Sequence, residues 1–329
     1  MTRMSRCVLA WLFVALLRMP LLAREPAGLT VTAVGDVRIT AAQANDHGER
    51  LRKIRLRGDL VFANFEGVIG DPVPSDPWKF AVPREAAGIL RQMGITAVSL
   101  ANNHALDLGE DGYRETAAAL RGEGFQVAGG DEPGTIAKLK AHRVRLIAFS
   151  FCSQRNNVNH PDAVPAFSKA AGEFVIVSAH MGGENHLSNW IFGGMEYFGD
   201  EPRGDVVAFS RRSIDAGADL VLGHGPHMPR GLELYKGKLI VYSLGNFAFD
   251  YPGAAWHPHA PGYSISIRLD ESGNFSTGRI DSYDLRNGVP VPDKSAAAYR
   301  AIRDLTWRNL KQTALSFPGN GRVEKSHKE

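Results

Sequence analysis

Short apolar runs alternate with amphipathic segments from residue 29 to about residue 250. Seven runs, rich in β-branched and aromatic residues, predict buried strands at 29–34, 60–64, 97–100, 144–149, 174–178, 219–222 and 239–242. Between them, apolar residues recur every three or four positions in 83–93, 109–121 and 205–216, which predicts three helices. Glycine follows each helix, as helix ends favour, at Gly94, Gly122 and Gly217. The alternation of strand and helix predicts an α/β layered fold.

The pattern changes after residue 250. Residues 263–269 alternate between apolar and polar, 271–274 are polar with a glycine, and 277–283 alternate again, so we expect a hairpin that extends the edge of a sheet. Residues 296–311 have the periodicity of one amphipathic helix, and residues 317–329 predict a polar tail.

Two segments, 153–169 and 185–203, show no clear period. Loops carry function when a rigid scaffold positions them, so either segment could belong to a site. The second could line a substrate pocket or pack over the end of a sheet, and the sequence supports both interpretations equally. Its aromatic residues are Trp190, Phe192, Tyr197 and Phe198.

The first 23 residues differ from the rest of the chain. Arg3 and Arg6 precede an apolar run at 7–17, and Ala23 is a small residue suited to cleavage, which together indicate an export signal. The run is shorter than a typical membrane span. An uncleaved N-terminal anchor is the alternative, because Leu21 is bulky for a position close to a cleavage site. Either way, we expect an extracytoplasmic protein that is periplasmic, secreted or membrane-anchored.

The charge balance argues against a nucleic-acid-binding protein, and the cysteine content argues against a disulfide-stabilised one. The chain has 38 basic and 35 acidic residues, and the N-terminal segment holds three arginines and no acid, so the remainder carries 35 of each. Balanced charge gives no support for nucleic-acid binding. Outside this segment, Cys152 is the one cysteine, so that part of the chain forms no internal disulfide. The composition, 44% hydrophobic and 22% charged, is that of a globular protein.

Polar side chains follow nearly every predicted strand. Ligand sites in open α/β sheets gather at the carboxyl ends of strands, so we expect these side chains to lie close together. They supply carboxylates, amides and imidazoles but no thiolate, which suits Mn, Fe or Zn in a hydrolytic centre and not a structural zinc site. In chain order they are Asp36, Asn64, Glu66, Asn103, His104, Asp107, His180, Glu184, His224, His227 and Asn246.

Six motifs lie at or just after the predicted strand ends: GD at 35–36, NFE at 64–66, NNHALDLG at 102–109, HMGGE at 180–184, GHGPH at 223–227 and YSLGNF at 242–247. With these motifs the chain resembles the bacterial capsule synthesis protein family associated with poly-γ-glutamate, CapA, a branch of the calcineurin-like metallophosphoesterase superfamily. The resemblance covers roughly residues 30–250. The resemblance implies a four-layer α-β-β-α sandwich over 29–287 with a metal site at the strand ends, followed by a C-terminal helix and polar tail over 288–329.

The resemblance also implies roles for individual residues. Asp36 matches the first metal-binding aspartate, and Glu66 stands where the superfamily has a bridging aspartate. Asn103 would bind metal, and His104 would assist the leaving group. One or two divalent ions, Mn, Fe or Zn, are the implied cofactor. Three histidines complete the implied ligands, His180 and His224 for one ion and His227 for the other.

This sequence departs from the family pattern at three positions. The first motif usually has a histidine where this chain has Arg38, so the first ion should bind weakly or be absent, with the Arg38 guanidinium as a fixed positive charge. Alternatively, strand alternation turns Arg38 away from the site. Met181 replaces an aromatic residue and Gly225 a residue that is often histidine, which predicts altered substrate contacts. The candidate substrate-binding residues are Arg38, Asn64, Glu184 and Asn246.

Two interpretations of Asp107 stay open. It lies three residues after His104, where its carboxylate could orient the imidazole. It also lies just before the helix predicted from Gly109, where it could be the N-cap, and the sequence slightly favours the cap.

The sequence supports three functions. The first is an exported metal-dependent hydrolase that acts on a phosphoester or a capsule-polymer linkage in poly-γ-glutamate capsule assembly. The second, favoured by Arg38, is a non-catalytic envelope component that binds an anionic polymer or a synthase partner. The third and least favoured is metal-independent acid–base chemistry on a peptide by His104 and His180. The expected partners are the capsule polymer or its synthase complex, with membrane association through the N-terminus and no nucleic acid.

Overall fold

The computed structural model describes residues 28–326, apart from 72, 77, 130–133, 140–141, 161, 163, 165–166, 185–186, 251–259 and 312–313. The predicted signal peptide or anchor therefore lies outside the described residues. No helix among those described has the length and apolar character needed to cross a membrane.

Five helices form in the described part of the chain: α1 (Ala41–Leu51), α2 (Glu85–Gln92), α3 (Gly109–Gly122), α4 (Val206–Asp215) and α5 (Ala297–Leu310). The strands of the first half are β1 (Leu29–Arg38), β2 (Leu60–Phe65), β3 (Val68–Ile69), β4 (Ala81–Val82), β5 (Ala97–Ser99), β6 (Gln126–Ala128), β7 (Thr135–Lys138), β8 (Arg143–Ser150) and β9 (Glu173–His180). Those of the second half are β10 (Glu196–Phe198), β11 (Glu201–Gly204), β12 (Leu220–His224), β13 (Leu232–Tyr235), β14 (Lys238–Val241), β15 (Asn246–Phe249), β16 (Gly262–Leu269), β17 (Phe275–Arg286), β18 (Val289–Pro292), β19 (Leu315–Gly319) and β20 (Arg322–Lys325).

Two large sheets form the centre of the protein. The first has ten strands in the order β19-β20-β17-β16-β1-β2-β5-β6, with β15 paired to β1 and β18 to β17. The second has six strands in the order β13-β14-β12-β9-β8-β7. Strands β1, β2, β5 and β6 run parallel, as do β8, β9, β12 and β14, so each sheet gathers several carboxyl strand ends at one edge.

The sheets pack face to face through a continuous apolar core. Val31 and Phe62 of the first sheet and Ile176 and Leu222 of the second belong to one buried cluster. Successive residues of a strand point to opposite faces, so the alternate residues form two outer clusters. One outer cluster contains α1–α3 and the other α4. The layers are therefore α-β-β-α, and the predicted α/β sandwich is confirmed.

All seven predicted strands and the three predicted helices are present, but several strands are longer than the apolar pattern indicates. β1 continues to Arg38, β9 to His180 and β12 to His224. Residues that the sequence places on loops after the strands are thus the last residues of the strands themselves. Strand ends are more rigid than free loops, because backbone hydrogen bonds fix their direction.

Three elements differ from the sequence prediction. The predicted polar tail at 317–329 is wrong for its described residues, because β19 and β20 form a hairpin that pairs with β17. The predicted hairpin, β16–β17, consequently lies inside the first sheet and not at its edge. Helix α1 was not predicted; Thr40 and Gln43 form a capping box at its start, which is the signal that could have revealed it. The helix predicted at 296–311 is confirmed as α5, and the domain division at 288 stays a prediction.

Stability should depend on the core between the sheets. We expect Ile176→Ala, at a fully buried position of β9, to lower the free energy of unfolding by about 2–5 kcal/mol. The matched control is Ile136→Ala on edge strand β7, where the side chain is 37% exposed, with an expected loss below about 1 kcal/mol. Urea denaturation followed by circular dichroism measures both. Equal losses would contradict this assignment of the core.

Candidate metal site at the strand ends

The carboxyl ends of four parallel strands meet between the two sheets. Asp36 of β1 is paired in register with Asn64 of β2, and His180 of β9 with His224 of β12. One ligand atom from each of Asp36, Glu66 and His180 lies within 4.8 Å of the others, and all three side chains are buried. The structure therefore contains a triad with the composition and spacing of a metal site.

Two further histidines join this triad. His224 Nδ1 lies 3.1 Å from Asp36 Oδ1, and His227 Nδ1 lies 3.4 Å from Asp36 Oδ2. His227 Nε2 is 3.5 Å from Glu66 Oε1, and His180 Nε2 is 3.9 Å from the same oxygen. Five of the six predicted ligands, from positions far apart in the chain, therefore form one cluster. Their roles as ligands stay a prediction.

Several oxygen and nitrogen atoms that could bind a metal in this cluster are buried and have no hydrogen-bond partner among the described residues. A buried polar atom without a partner costs about 1–3 kcal/mol, and a divalent cation would satisfy several at once. Carboxylate oxygens and imidazole nitrogens without thiolate suit Mn, Fe or Zn. The residues present therefore fit a divalent ion. The atoms are both Glu66 carboxylate oxygens, His180 Nε2, His224 Nε2 and Oδ1 of Asn103, the sixth predicted ligand.

Burial and mutual charge shift the ionisation of this cluster. Burial raises the pKa of Glu66 well above its usual range, and the charges of Asp36 and Glu184 add to this. Burial opposes ionisation of Asp36 too, but hydrogen bonds from His224 and His227 outweigh it and hold the Asp36 pKa well below its usual value.

The two histidines nearest Glu66 shift in opposite directions. Burial holds the pKa of His180 well below its usual value, so its imidazole is neutral, the form that binds metal. Burial also disfavours charge on His227, but the charges of Glu66 and Glu184 and a hydrogen bond to Asp36 raise the His227 pKa well above its usual value. The carboxylates thus favour a positive charge at this position, and a bound metal ion would supply one.

Three asparagines fix the orientation of these groups. Asn64 Nδ2 donates to Asp36 Oδ1 at 2.9 Å and lies 3.2 Å from His180 Nδ1. Asn102 Nδ2 donates to Asn64 Oδ1 at 3.2 Å, and Asn246 Oδ1 lies 2.8 Å from His227 Nδ1. Asn64 and Asn246, predicted as substrate-binding residues, thus lie directly against predicted ligands. The supporting contact of Asn102 was not predicted, although the residue is part of the NNH motif.

Tight backbone contacts hold two of the motifs in place. A Cβ at Gly35 would lie 1.9 Å from the carbonyl oxygen of Gly245, so only glycine lets β1 approach that loop. Gly225 has φ +111° and its Cβ would lie 2.9 Å from the carbonyl oxygen of Met181, so the histidine often found at this position cannot fit this backbone. His227 itself has φ 55°, a left-handed conformation unusual for a residue with a side chain.

A second cluster surrounds His104 beside the triad. His104 Nδ1 donates to Asp107 Oδ2 at 2.8 Å, and the backbone N–H of Phe80 donates to the same oxygen at 2.6 Å. Asp107 does not cap α3, whose N-cap position is Leu108 without a side-chain capping bond. The slight preference for an N-cap is therefore wrong, because the carboxylate is already engaged by the imidazole and by Phe80.

The ring of Phe80 connects His104 with Arg38. The imidazole stacks on Phe80 with ring centroids 3.5 Å apart, and the guanidinium of Arg38 lies 4.2 Å from the same centroid. Arg38 is 5% exposed and donates to the carbonyl oxygen of Asp250. It is therefore a fixed, buried cation beside His104, and its role in substrate binding stays a prediction.

Arg203 is a site residue that the sequence analysis missed. Its Nη1 donates to Glu184 Oε1 at 2.8 Å, and its guanidinium lies 3.9 Å from the centroid of Phe151. The other oxygen of Glu184 lies 4.0 Å from His227 Nε2, so Arg203 fixes a carboxylate beside the metal cluster. Arg203 lies in the unpatterned segment 185–203, where no local period or motif marks it.

The rest of that segment supports the HMGGE loop. Gly182 N donates to the Arg203 carbonyl at 2.7 Å, and Gly183 N donates to Glu196 Oε2 at 2.8 Å. The β10–β11 hairpin therefore holds the loop that presents Glu184. Two aromatic side chains of segment 185–203, Phe192 and Tyr197, are exposed.

Comparison with known proteins finds one matching family and several similar proteins. Residues 30–251 match the family model described as bacterial capsule synthesis protein PGA_cap. The chain is 27% identical over 247 residues to the PGA biosynthesis protein CapA of Bacillus subtilis, a match that covers 68% of this chain and 60% of that protein. It is 35% identical over 189 residues to a probable polyglutamine synthesis accessory protein of Mycobacterium tuberculosis, covering 48% of this chain and 46% of that protein. The chain thus matches about half the length of these relatives.

Among solved structures, the chain is similar to a hypothetical protein from Thermus thermophilus. The TM-score is 0.47 and the identity 20%, over 78% of this chain and 99% of that one.

We expect metal binding to require the histidine in the triad. Adding Mn²⁺ or Zn²⁺ to chelator-treated wild type should raise the melting temperature, because an ion bound only to the folded state stabilises it by about 2.7 kcal/mol at a hundred times its Kd. His180→Ala should lose most of this rise. The matched control is His142→Ala, a half-buried histidine that packs against Phe174 away from the site and should keep it. Equal metal content in the three proteins by elemental analysis would contradict the assignment.

Proposed function

Because this chain belongs to the bacterial capsule synthesis protein family PGA_cap, we propose that it is a capsule biosynthesis protein with a metal-dependent hydrolase site. The proposed substrate is a phosphoester or a linkage of the capsule polymer. A relative whose name gives PGA biosynthesis suggests poly-γ-glutamate as that polymer. The observation that carries the proposal is the buried cluster of Asp36, Glu66 and His180, whose donor atoms converge without enough hydrogen bonds to satisfy them.

The residues that would hold the ion come from both sheets. Asp36 and Glu66 would supply oxygen donors from the first sheet, with Asn103 as a further oxygen donor. His180, His224 and His227 would supply nitrogen donors from the second. A divalent ion bound there would activate water and offset the negative charge of a phosphoester.

His104 is the proposed general acid. Its Nδ1–H is held by Asp107, which leaves Nε2 as the nitrogen that can face substrate. The side chain is 19% exposed, while Asp36 and Glu66 are fully buried, so a leaving group can reach it. Protonated His104 would give its Nε2 proton to the departing oxygen, and the Asp107 carboxylate would stabilise the positive charge before transfer. Stacking on Phe80 keeps the ring in this orientation.

Arg38 and Arg203 are proposed to hold the substrate end of the site. Arg38 is a buried cation beside His104, so it can pair with an anionic group next to the leaving oxygen. Arg203 positions Glu184 at the rim, where the carboxylate can accept hydrogen bonds from water or substrate.

Export to the cell envelope is part of the same proposal. The apolar run 7–17 after Arg3 and Arg6 supports it, as does the capsule-related family. Its proposed partners are the capsule polymer or the complex that makes it.

A non-catalytic polymer-binding role is the second candidate. Arg38 favours it, because a guanidinium occupies a position where the wider superfamily has a metal-binding histidine. Metal-loaded protein that binds poly-γ-glutamate but hydrolyses neither it nor a panel of phosphomonoesters and phosphodiesters would establish this second role and overturn the hydrolase. Turnover that disappears in Asp36→Asn would establish the hydrolase.

The general-acid role predicts a dependence on the leaving group. We expect His104→Ala to lower kcat by about 10²–10⁴-fold on a phosphodiester with an alkyl leaving group. The loss should be much smaller on a p-nitrophenyl phosphodiester, because p-nitrophenolate departs without being protonated. The same loss on both substrates would contradict the role.

Asp107→Asn tests the residue that orients His104. We expect kcat to fall by roughly 10–100-fold, because the amide cannot hold the protonated imidazole equally well. The matched control is Asp111→Asn, an exposed acid that pairs with Arg114 three residues further on and should keep full activity. Steady-state kinetics on the alkyl phosphodiester measures both variants, and equal activity in the two would contradict the role of Asp107.

A further inference from the structure

The end of α1 and the loop that joins it to β2 carry a concentration of positive charge. Five of the eight residues from Arg50 to Arg57 are arginine or lysine, and none is acidic. Leu51 and Leu56 are buried and fix the segment to the fold, while the cations between and beside them are half-buried or exposed. In the described part of the chain, none of these five side chains forms an ion pair with a carboxylate.

Local structure explains only some of these charges. Arg55 donates to the carbonyl oxygens of Ile54 at 2.8 Å and Gln92 at 3.4 Å, so it anchors the loop. Arg50 and Arg52 lie at the end of α1, where cations favour the helix dipole. Lys53 and Arg57 lie beyond the helix end, so neither the loop anchor nor the helix dipole accounts for their charge. Arg50 and Lys53 also line a cavity of about 440 Å³ with Ile54 and β18.

This segment lies at the opposite end of the sandwich from the metal site. Thr32 Oγ1 donates to the Arg57 carbonyl at 2.6 Å, which places the segment beside the start of β1. Asp36, at the site, is four residues further along the strand, or roughly 13 Å. We call this end, with residues 50–57 and the first residues of the parallel strands, the basal face.

The second sheet adds positive charge to the same face. Glu173, which begins β9, is bound by both Arg143 and Arg145. Asp219, just before β12, is bound by both Lys169 and Lys238. Each carboxylate therefore faces two cations. The far end of the sandwich instead places four carboxylates, those of Asp36, Glu66, Asp107 and Glu184, with two arginines, Arg38 and Arg203.

The chain enters the described structure at this basal face. Thr30, near the start of β1, donates its N–H to Asp59 Oδ2 at 2.8 Å, two residues after the cationic segment. The apolar run 7–17 ends eleven residues before Gly28. A fully extended chain of that length spans at most about 40 Å. A bilayer that held this run would therefore lie within reach of residues 50–57.

We propose that the basal face docks on an anionic lipid surface through Arg50, Lys53 and Arg57. Clustered cations beside an apolar segment are attracted to anionic headgroups, and the attraction falls within a Debye length of the surface. Docking in this orientation points the metal site away from the membrane. The proposal does not depend on hydrolase activity. An acidic polymer could also bind cations, but the entry of the chain at this face favours the lipid surface.

Sedimentation with vesicles tests this proposal on the full-length chain. The variant is Arg50→Gln/Lys53→Gln/Arg57→Gln, which keeps the N-terminal run and the anchoring Arg55. The charge-matched control is Arg84→Gln/Arg114→Gln/Arg308→Gln, three exposed cations away from the basal face. A second variant, Arg50→Lys/Arg57→Lys, keeps the charge. Vesicles contain phosphatidylcholine alone or equal parts phosphatidylcholine and phosphatidylglycerol, and thermal melts compare folding.

The basal variant should partition onto anionic vesicles roughly 10–100-fold more weakly than wild type at low salt. The control and the lysine variant should bind like wild type, and all proteins should bind neutral vesicles equally. The difference should shrink as salt rises. Equal binding of wild type and basal variant to anionic vesicles would overturn the proposal. An equal loss of binding in the control would also overturn it. The same holds if wild-type protein binds soluble poly-γ-glutamate through these cations but shows no preference for anionic vesicles.

Discussion

Asp36 and Glu66 are fully buried side by side, and the rest of the structure is arranged around their need for positive charge. An isolated carboxylate in an apolar interior is strongly unfavourable unless it is protonated, paired or bound to metal. Here His224 and His227 approach Asp36, while Glu66 has no hydrogen-bond partner among the described residues. A divalent ion would resolve the imbalance for both acids together.

The two sheets are equally necessary to this arrangement. The first sheet supplies the acids and Asn64, and the second supplies the imidazoles of His180 and His224. The triad therefore combines oxygen atoms from the first sheet with a nitrogen atom from the second, within 4.8 Å of one another. The apolar core that binds the sheets together therefore also sets the separation of the donor atoms, which links stability to the geometry of the site.

The sequence predicted the residues of the site better than their contacts. His180 and His224 were identifiable because each ends an apolar run, and parallel strands bring their carboxyl ends to one edge. Asp107 could not be assigned from spacing alone, since an acid three residues after a histidine and two before a helix suits either role. Arg203 left no signal, because its contacts with Glu184 and Phe151 join β11 to residues that no local sequence pattern connects with it. Helix α1 was missed because its face toward the sheet is weakly apolar, with Gln43 and Gly48 buried there.

The two ends of the molecule thus differ, with a buried cluster of acids and imidazoles at one end and, at the other, the cationic segment 50–57, which forms no ion pair with a carboxylate among the described residues. The central claim is that the acid-rich end holds a divalent ion. Diffraction from crystals grown with zinc, recorded on both sides of the zinc absorption edge, tests it most directly. The account predicts an anomalous peak about 2.0–2.2 Å from oxygens of Asp36 or Glu66 and from a nitrogen of His180. Zinc bound only elsewhere on the protein, with His227 paired directly to Glu66, would contradict it.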